Sequence, residues 1–78
     1  MKSTISFSAP DVHDALTRAL SYARICEISV AAVRATRNSS LDYSVAVEVE
    51  APTIEALSLY ELRVAGIVVL TKFVVDHD

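Results

Sequence analysis

The feature that most constrains the fold is the order in which two hydrophobic periods alternate along only 78 residues. A period of two indicates a strand with one buried face, and offsets of three and four indicate an amphipathic helix. The periods follow one another as β-α-β-β-α-β. The predicted strands are residues 2–8, 27–37, 42–50 and 67–75, and the predicted helices begin at Pro10 and Pro52 and end near Ala23 and Arg63.

Turn-forming residues separate these segments. Pro10 and Pro52 each suit the first turn of a helix, and Thr53 supplies an N-cap for the second one. Gly66 is the only glycine, and we expect it either to end the second helix or to open the return to the last strand. The cluster Asn38-Ser39-Ser40 predicts a hairpin between the two middle strands.

This order of elements predicts an α+β fold, the ferredoxin-like βαββαβ plait, as one domain over residues 1–78. Its four-stranded antiparallel sheet carries both helices on one face and leaves the other face open. The second helix has apolar residues on two sides, since Leu57 and Tyr60 lie roughly opposite Leu59 and Leu62. The last strand likewise has apolar residues on both of its faces. Covering each large aliphatic side chain stabilises by about 1.5 to 3 kcal/mol, so we expect a homo-oligomer, most simply a dimer.

Composition excludes several classes of partner. The formal net charge is -3, which disfavours nucleic acid and anionic lipid. The longest apolar run, from Val64 to Leu70, is far shorter than the roughly 20 residues that cross a bilayer. A single cysteine, Cys26, cannot form an internal disulfide, which favours a reducing compartment such as the cytoplasm.

No set of residues predicts catalysis, a metal site or a cofactor. One glycine cannot build a phosphate-binding loop, and Cys26, His13 and His77 are too isolated to predict a metal site. Glu48 and Glu50 share one face of a strand, where general acid-base work is conceivable but a solvated edge is the simpler interpretation. We therefore expect a protein that is not an enzyme. The alternatives are a small enzyme or ligand carrier on the same plait, such as an acylphosphatase-like domain, and a stand-alone dimeric scaffold.

The segment from Ile5 to Phe73 resembles an ACT domain, most closely those in the small regulatory subunits of acetolactate synthase. The similarity is carried by short motifs that precede or end the predicted helices. They are Pro10-Asp11-Val12, Ala23-Arg24-Ile25-Cys26-Glu27, the pair Leu59 and Leu62, and the strand from Ile67 to Phe73.

The resemblance implies an effector site beside the first strand-to-helix loop, formed by Ser8, Ala9, Pro10 and Asp11. In the family pattern glycines stand where this chain has Asp11 and Arg24, and the first of them lets backbone amides approach a ligand carboxylate. Because the Asp11 carboxylate opposes such an anion, we expect free branched-chain amino acids to bind poorly.

The resemblance also implies side-by-side pairing of two domains and docking onto a catalytic chain. It places Leu59 and Leu62 against the sheet, which leaves Leu57 and Tyr60 as spare apolar surface. Strand two is the favoured pairing edge, followed by strand four. The expected function is a non-catalytic regulatory module for an enzyme of branched-chain amino acid biosynthesis. The expected interface residues are Ile28, Val30, Ala32, Arg34, Leu57 and Tyr60.

Overall fold

The computed structural model describes residues 1–39, 42–66 and 73–77. Within them the chain forms four strands and two helices in the predicted order. The predicted start of the last strand at Ile67 and the turn residue Ser40 lie outside the described residues. The elements are β1 (Lys2–Ala9), α1 (Val12–Ile25), β2 (Ser29–Ser39), β3 (Asp42–Glu50), α2 (Ile54–Ala65) and β4 (Phe73–His77).

The strands form one antiparallel sheet in the order β2-β3-β1-β4. The register places Ile5 of β1 beside Val47 of β3 on one side and Val75 of β4 on the other. This order, with two helices, is the ferredoxin-like plait, and the predicted fold class is confirmed. The two outer strands, β2 and β4, are the edges of the described sheet.

Both helices begin at a side-chain cap rather than at a proline. The Asp11 carboxylate accepts a hydrogen bond from the Asp14 amide at 3.1 Å, and the Thr53 hydroxyl accepts one from the Ala56 amide at 3.1 Å. Pro10 therefore precedes the N-cap of α1. The prediction that Pro10 occupies the first turn of this helix is wrong. Gly66 ends α2, as predicted.

The end of α1 is a Schellman motif without glycine. The Ile28 amide donates to the Ala23 carbonyl at 2.8 Å, and the Glu27 amide donates to the Arg24 carbonyl at 3.2 Å. Closing these two bonds places Glu27 at φ 58°, in the left-handed region that glycine occupies at little cost. Ile28 then enters the core beside Ala23, so the turn directs β2 back along the sheet.

Small residues bring α1 close to the sheet. Its fully buried side chains are Ala15, Ala19 and Ala23, spaced four residues apart along one face. The larger core residues come from the strands and from α2. They include Ile5, Phe7, Val45, Val47, Val49, Leu57, Tyr60 and Val64.

Two expectations about burial are wrong. Leu57 and Tyr60 are 0% exposed and pack in the core, whereas Leu59 is 47% and Leu62 73% exposed. The face of α2 toward the sheet is the reverse of the one that the resemblance implied. It follows the spacing of Leu57, Tyr60 and Val64, which share one side of the helix.

Candidate functional site

The implied effector loop is an ordinary capped helix entry. Ser8 and Ala9 are buried at the end of β1, and Pro10 and Asp11 are exposed. The Asp11 carboxylate already occupies the place where an anionic ligand would meet the first amides of α1. Weak binding of an amino-acid carboxylate at this loop stays a prediction.

Asp14 and Arg18, in the first two turns of α1, form an ion pair next to this loop. Asp14 accepts a hydrogen bond from the Arg18 guanidinium at 3.0 Å, and both side chains are about half exposed. The bond to Asp14 raises the pKa of Arg18. Arg18 is therefore engaged by Asp14 beside the loop.

The β2 edge carries three of the six expected interface residues. In the described part of the chain β2 has one neighbouring strand, β3, so its other edge is unpaired. Val30, Ala32 and Arg34 lie along this strand, and a register shift falls between Val30 and Ala32. The fourth residue, Ile28, precedes the strand and is buried in the core of the folded chain.

An apolar strip formed by Val33, which the sequence analysis did not single out, and Val30, which it did, flanks this edge on the helix side. Val33 pairs with the buried Val47, which places it on the helix-facing side of the sheet, yet it remains 40% exposed. Val30 pairs with the buried Val49 and is exposed in the same way. Alternation identified both valines as strand residues, but only the edge position of β2 explains why they are not covered.

A second apolar surface lies on the helices. Ile25, Leu59 and Leu62 are all exposed, on the sides of α1 and α2 away from the sheet. The neighbouring Arg63 guanidinium lies 5.8 Å from the centroid of the Tyr22 ring and connects the two helices. The sequence pattern predicted surplus apolar residues on α2, but the family resemblance assigned Leu59 and Leu62 to the interior.

Tyr60 is an internal structural residue. Its hydroxyl donates to the Ala19 carbonyl at 3.0 Å, which joins α2 to α1 inside the core. Burial, with a smaller contribution from Cys26, raises the pKa of Tyr60 to about 12. The ring has no exposed surface to offer a partner in the folded chain.

The paired acids on β3 have basic neighbours. Glu48 lies 3.9 Å from the Arg34 guanidinium, and Glu50 lies 3.5 Å from the amino group of Met1. These pairs are exposed, which agrees with the interpretation of a solvated edge and makes each pair a weak contributor to stability.

The described ranges hold no group of three or more His, Cys, Asp and Glu side chains placed to bind a metal ion. Cys26 is a free, half-buried thiol at the end of α1, and His13 is exposed on that helix. Neither described helix is long and apolar enough to span a membrane.

The fold is shared with several solved structures. The ACT domain from GTP pyrophosphokinase of Chlorobium tepidum superposes with a TM-score of 0.76 at 4% identity, over 97% of both chains. The C-terminal domain of the MgtC protein from Mycobacterium tuberculosis gives 0.77 at 5% identity, over 96% of this chain and 84% of that one. Formyltetrahydrofolate deformylase from Burkholderia mallei gives 0.76 at 11% identity, where this chain covers 28% of the larger protein.

No protein-family model matches the sequence, and no curated protein matches it significantly. At identities of 4 to 11% the structural likeness establishes the fold. The architecture of this chain is thus the one found in an ACT domain, as the sequence resemblance implied.

Proposed function

We propose that the chain is a non-catalytic regulatory module of ACT type that forms a homodimer and docks onto the catalytic subunit of a cytoplasmic enzyme. Acetolactate synthase, in branched-chain amino acid biosynthesis, is the enzyme that the sequence resemblance favours. The observation that carries the proposal is the unpaired β2 edge with exposed valines, on a fold shared with an ACT domain.

Pairing through β2 is supported by two complementary contributions. Between residues 32 and 37, the backbone N–H and C=O groups of β2 that point away from β3 have no neighbouring strand in the described sheet, so they suit a second copy of the same strand, which would join two four-stranded sheets into one. Val30 and Val33 then bury apolar area on the helix side of the joint. In this arrangement the earlier set of interface residues reduces to Val30, Ala32 and the backbone of Arg34, to which Val33 is added.

Docking onto a larger partner uses the helix surface of Ile25, Leu59 and Leu62. These residues lie on the opposite layer of the fold from the open sheet face, and strand pairing leaves them exposed. Three exposed aliphatic side chains on the helices of an 8.5 kDa domain favour burial against another protein. In this proposal an amino-acid effector is less important than the protein partner, because the Asp11 carboxylate occupies the position that the effector's carboxylate would take.

The dimer is tested by sedimentation of the whole chain across a wide concentration range. We expect a mass of twice 8.5 kDa, and Val33→Glu is expected to shift it to the monomer because the charge would be buried at the joint. Thr17→Glu on the exposed side of α1 is the matched control and leaves the dimer intact. A folded wild-type monomer at about millimolar concentration contradicts the dimer, since that bounds the association free energy at about 4 kcal/mol.

Docking is tested by co-purification with an acetolactate synthase catalytic subunit from the same host. We expect retention by the wild-type chain and loss with Leu62→Asp, while Thr17→Asp remains bound. Retention of the Leu62→Asp variant would show that docking uses another surface of the domain. Failure of the wild-type chain to bind would reject this partner and leave a stand-alone dimeric scaffold.

A further inference from the structure

The open face of the sheet contains a shallow groove of about 330 Å³, separate from the helix surface, and Ser8 is its one lining residue that also belongs to the implied effector loop. One row of paired residues defines it across all four strands: Val74 lies beside Ser6, Ser6 beside Ala46, and Ala46 beside Arg34. The central strands contribute small side chains and the edge strands contribute larger ones. This pattern makes the face concave.

The next row adds hydroxyl groups. Ser8, Ser44 and Thr36 follow one another across β1, β3 and β2 and line the same groove. The Ser44 hydroxyl is already held by the Asn38 side-chain amide at 2.6 Å. The groove therefore combines a compact apolar floor with several hydrogen-bonding groups, which is the composition of a small-molecule site.

Arg34 is the cation among the residues that line the groove. Its guanidinium has five N–H donors, and its one ion-pair contact in the described structure, to Glu48, measures 3.9 Å and lies in solvent. Most of its donors are therefore available to an anion. Glu48 and Asp76 share the neighbouring row, so an anionic ligand would extend away from them, toward Val74 and the hydroxyl row.

A carboxylate fits these groups better than a phosphate does. One guanidinium matches one carboxylate with two parallel hydrogen bonds. The backbone amides of β1 and β3, which form the floor, are committed to the sheet on both sides, so they cannot build the amide cradle that phosphates commonly use. The net charge of -3 further disfavours a dianion.

We propose that the open face binds a small monocarboxylate with a compact, flat apolar body, its carboxylate on Arg34 and its body over Ala46 and Ser6 against Val74. The site goes beyond the regulatory docking proposed above and does not depend on it. Strand pairing through the β2 backbone leaves the Arg34 side chain on the open face. The groove is a different location from the effector loop at Asp11.

The test is a titration of the ¹⁵N-labelled whole chain with benzoate, followed by amide chemical shifts. Benzyl alcohol serves as the neutral analogue and inorganic phosphate as the alternative anion. For a ligand of this size we expect saturation at about millimolar concentrations, with the largest shifts at Ser6, Ser44 and Ala46. Benzyl alcohol and phosphate are expected to bind at least tenfold more weakly.

Two substitutions define the role of Arg34. Arg34→Gln is expected to weaken benzoate binding at least tenfold, while Glu48→Gln tightens it several-fold because it removes the competing carboxylate. Arg24→Gln, at an exposed position on α1, is the matched control and leaves the affinity unchanged. Any of the following overturns the proposal: no saturation with benzoate, equal binding of benzyl alcohol or phosphate, unchanged affinity in Arg34→Gln, or shifts centred on residues 9–14.

Discussion

The Tyr60 hydroxyl donates a hydrogen bond of 3.0 Å to the Ala19 carbonyl, across 41 residues of sequence, and so fastens the two helices to each other inside the core. We expect Tyr60→Phe to lower the free energy of unfolding by about 1 kcal/mol, because one buried hydrogen bond is lost while the ring still fills its space. Urea denaturation measures the change. Tyr43→Phe, on a half-buried ring of β3, is the control with little expected effect, and equal losses in both variants would contradict the role of the bond.

The same hydroxyl gives the fold a dependence on alkaline pH. The pKa of Tyr60 is raised from 10.0 to about 12, so between these values the unfolded chain loses the phenolic proton and the folded chain keeps it. Stability is therefore constant with respect to this group below pH 10.0 and falls as pH rises toward about 12. Tyrosinate absorbance should show one of the three tyrosines titrating late, and Tyr60→Phe should remove that late step. Three coincident titrations in folded protein would contradict this expectation.

The left-handed residue after α1 predicts a stabilising substitution. Glu27→Gly relieves the steric cost of φ 58° while keeping both hydrogen bonds of the turn, and we expect a gain of about 1 kcal/mol in the free energy of unfolding. Glu55→Gly, in the first turn of α2, is the matched control and should lose about the same amount. Thermal unfolding of the two variants measures both, and a loss in Glu27→Gly would contradict the assigned turn.

The orientation of α2 predicts opposite results for two leucines of the same helix. Leu57→Ala creates a cavity in the core and should cost about 2–5 kcal/mol, enough to unfold much of a small domain. Leu59→Ala removes a side chain that is 47% exposed and should cost well under half as much. Denaturant midpoints distinguish the two. A larger loss for Leu59→Ala would restore the orientation implied by the family resemblance.

The cap at Asp11 predicts how the effector loop responds to mutation. We expect wild-type protein titrated calorimetrically with valine, leucine and isoleucine to show no dissociation constant below about 1 mM. Asp11→Gly frees the Asp14 amide and removes the opposing charge, at a cost in stability of only a few tenths of a kcal/mol. A gain in affinity is expected in that variant. Submillimolar binding by the wild-type chain would show that Asp11 does not block the site.

Element order and the alternation of side chains within each strand follow from local patterns, which is why the fold could be predicted. Alternation in β1 and β3 decides which side chains face the helices, and Thr53 and Gly66 fix the ends of α2. The facing of α2 could not be predicted because apolar residues lie on two of its sides. Tertiary packing decides which of the two sides faces the sheet. The side with Tyr60 is buried, and there the Ala19 carbonyl accepts the hydrogen bond of its hydroxyl.

The candidate surfaces were less predictable for a related reason. Whether Val33 is covered depends on its strand lying at an edge, and the groove depends on four residues from four strands sharing one row. Arg34 was identified from its place on strand two. Its position opposite Val74 across the open face is a property of tertiary register, which no local spacing encodes.

The two register shifts in β2 limit how far an added strand can run. Regular pairing with β3 continues from Ala32 to Arg37, between an irregularity after Val30 and another before Ser39. Six consecutive residues, 32–37, span about 20 Å. A bulge bends an edge strand away from regular pairing, so we expect a strand added along β2 to pair regularly over no more than these six residues, which disfavours extended ribbons built through this edge.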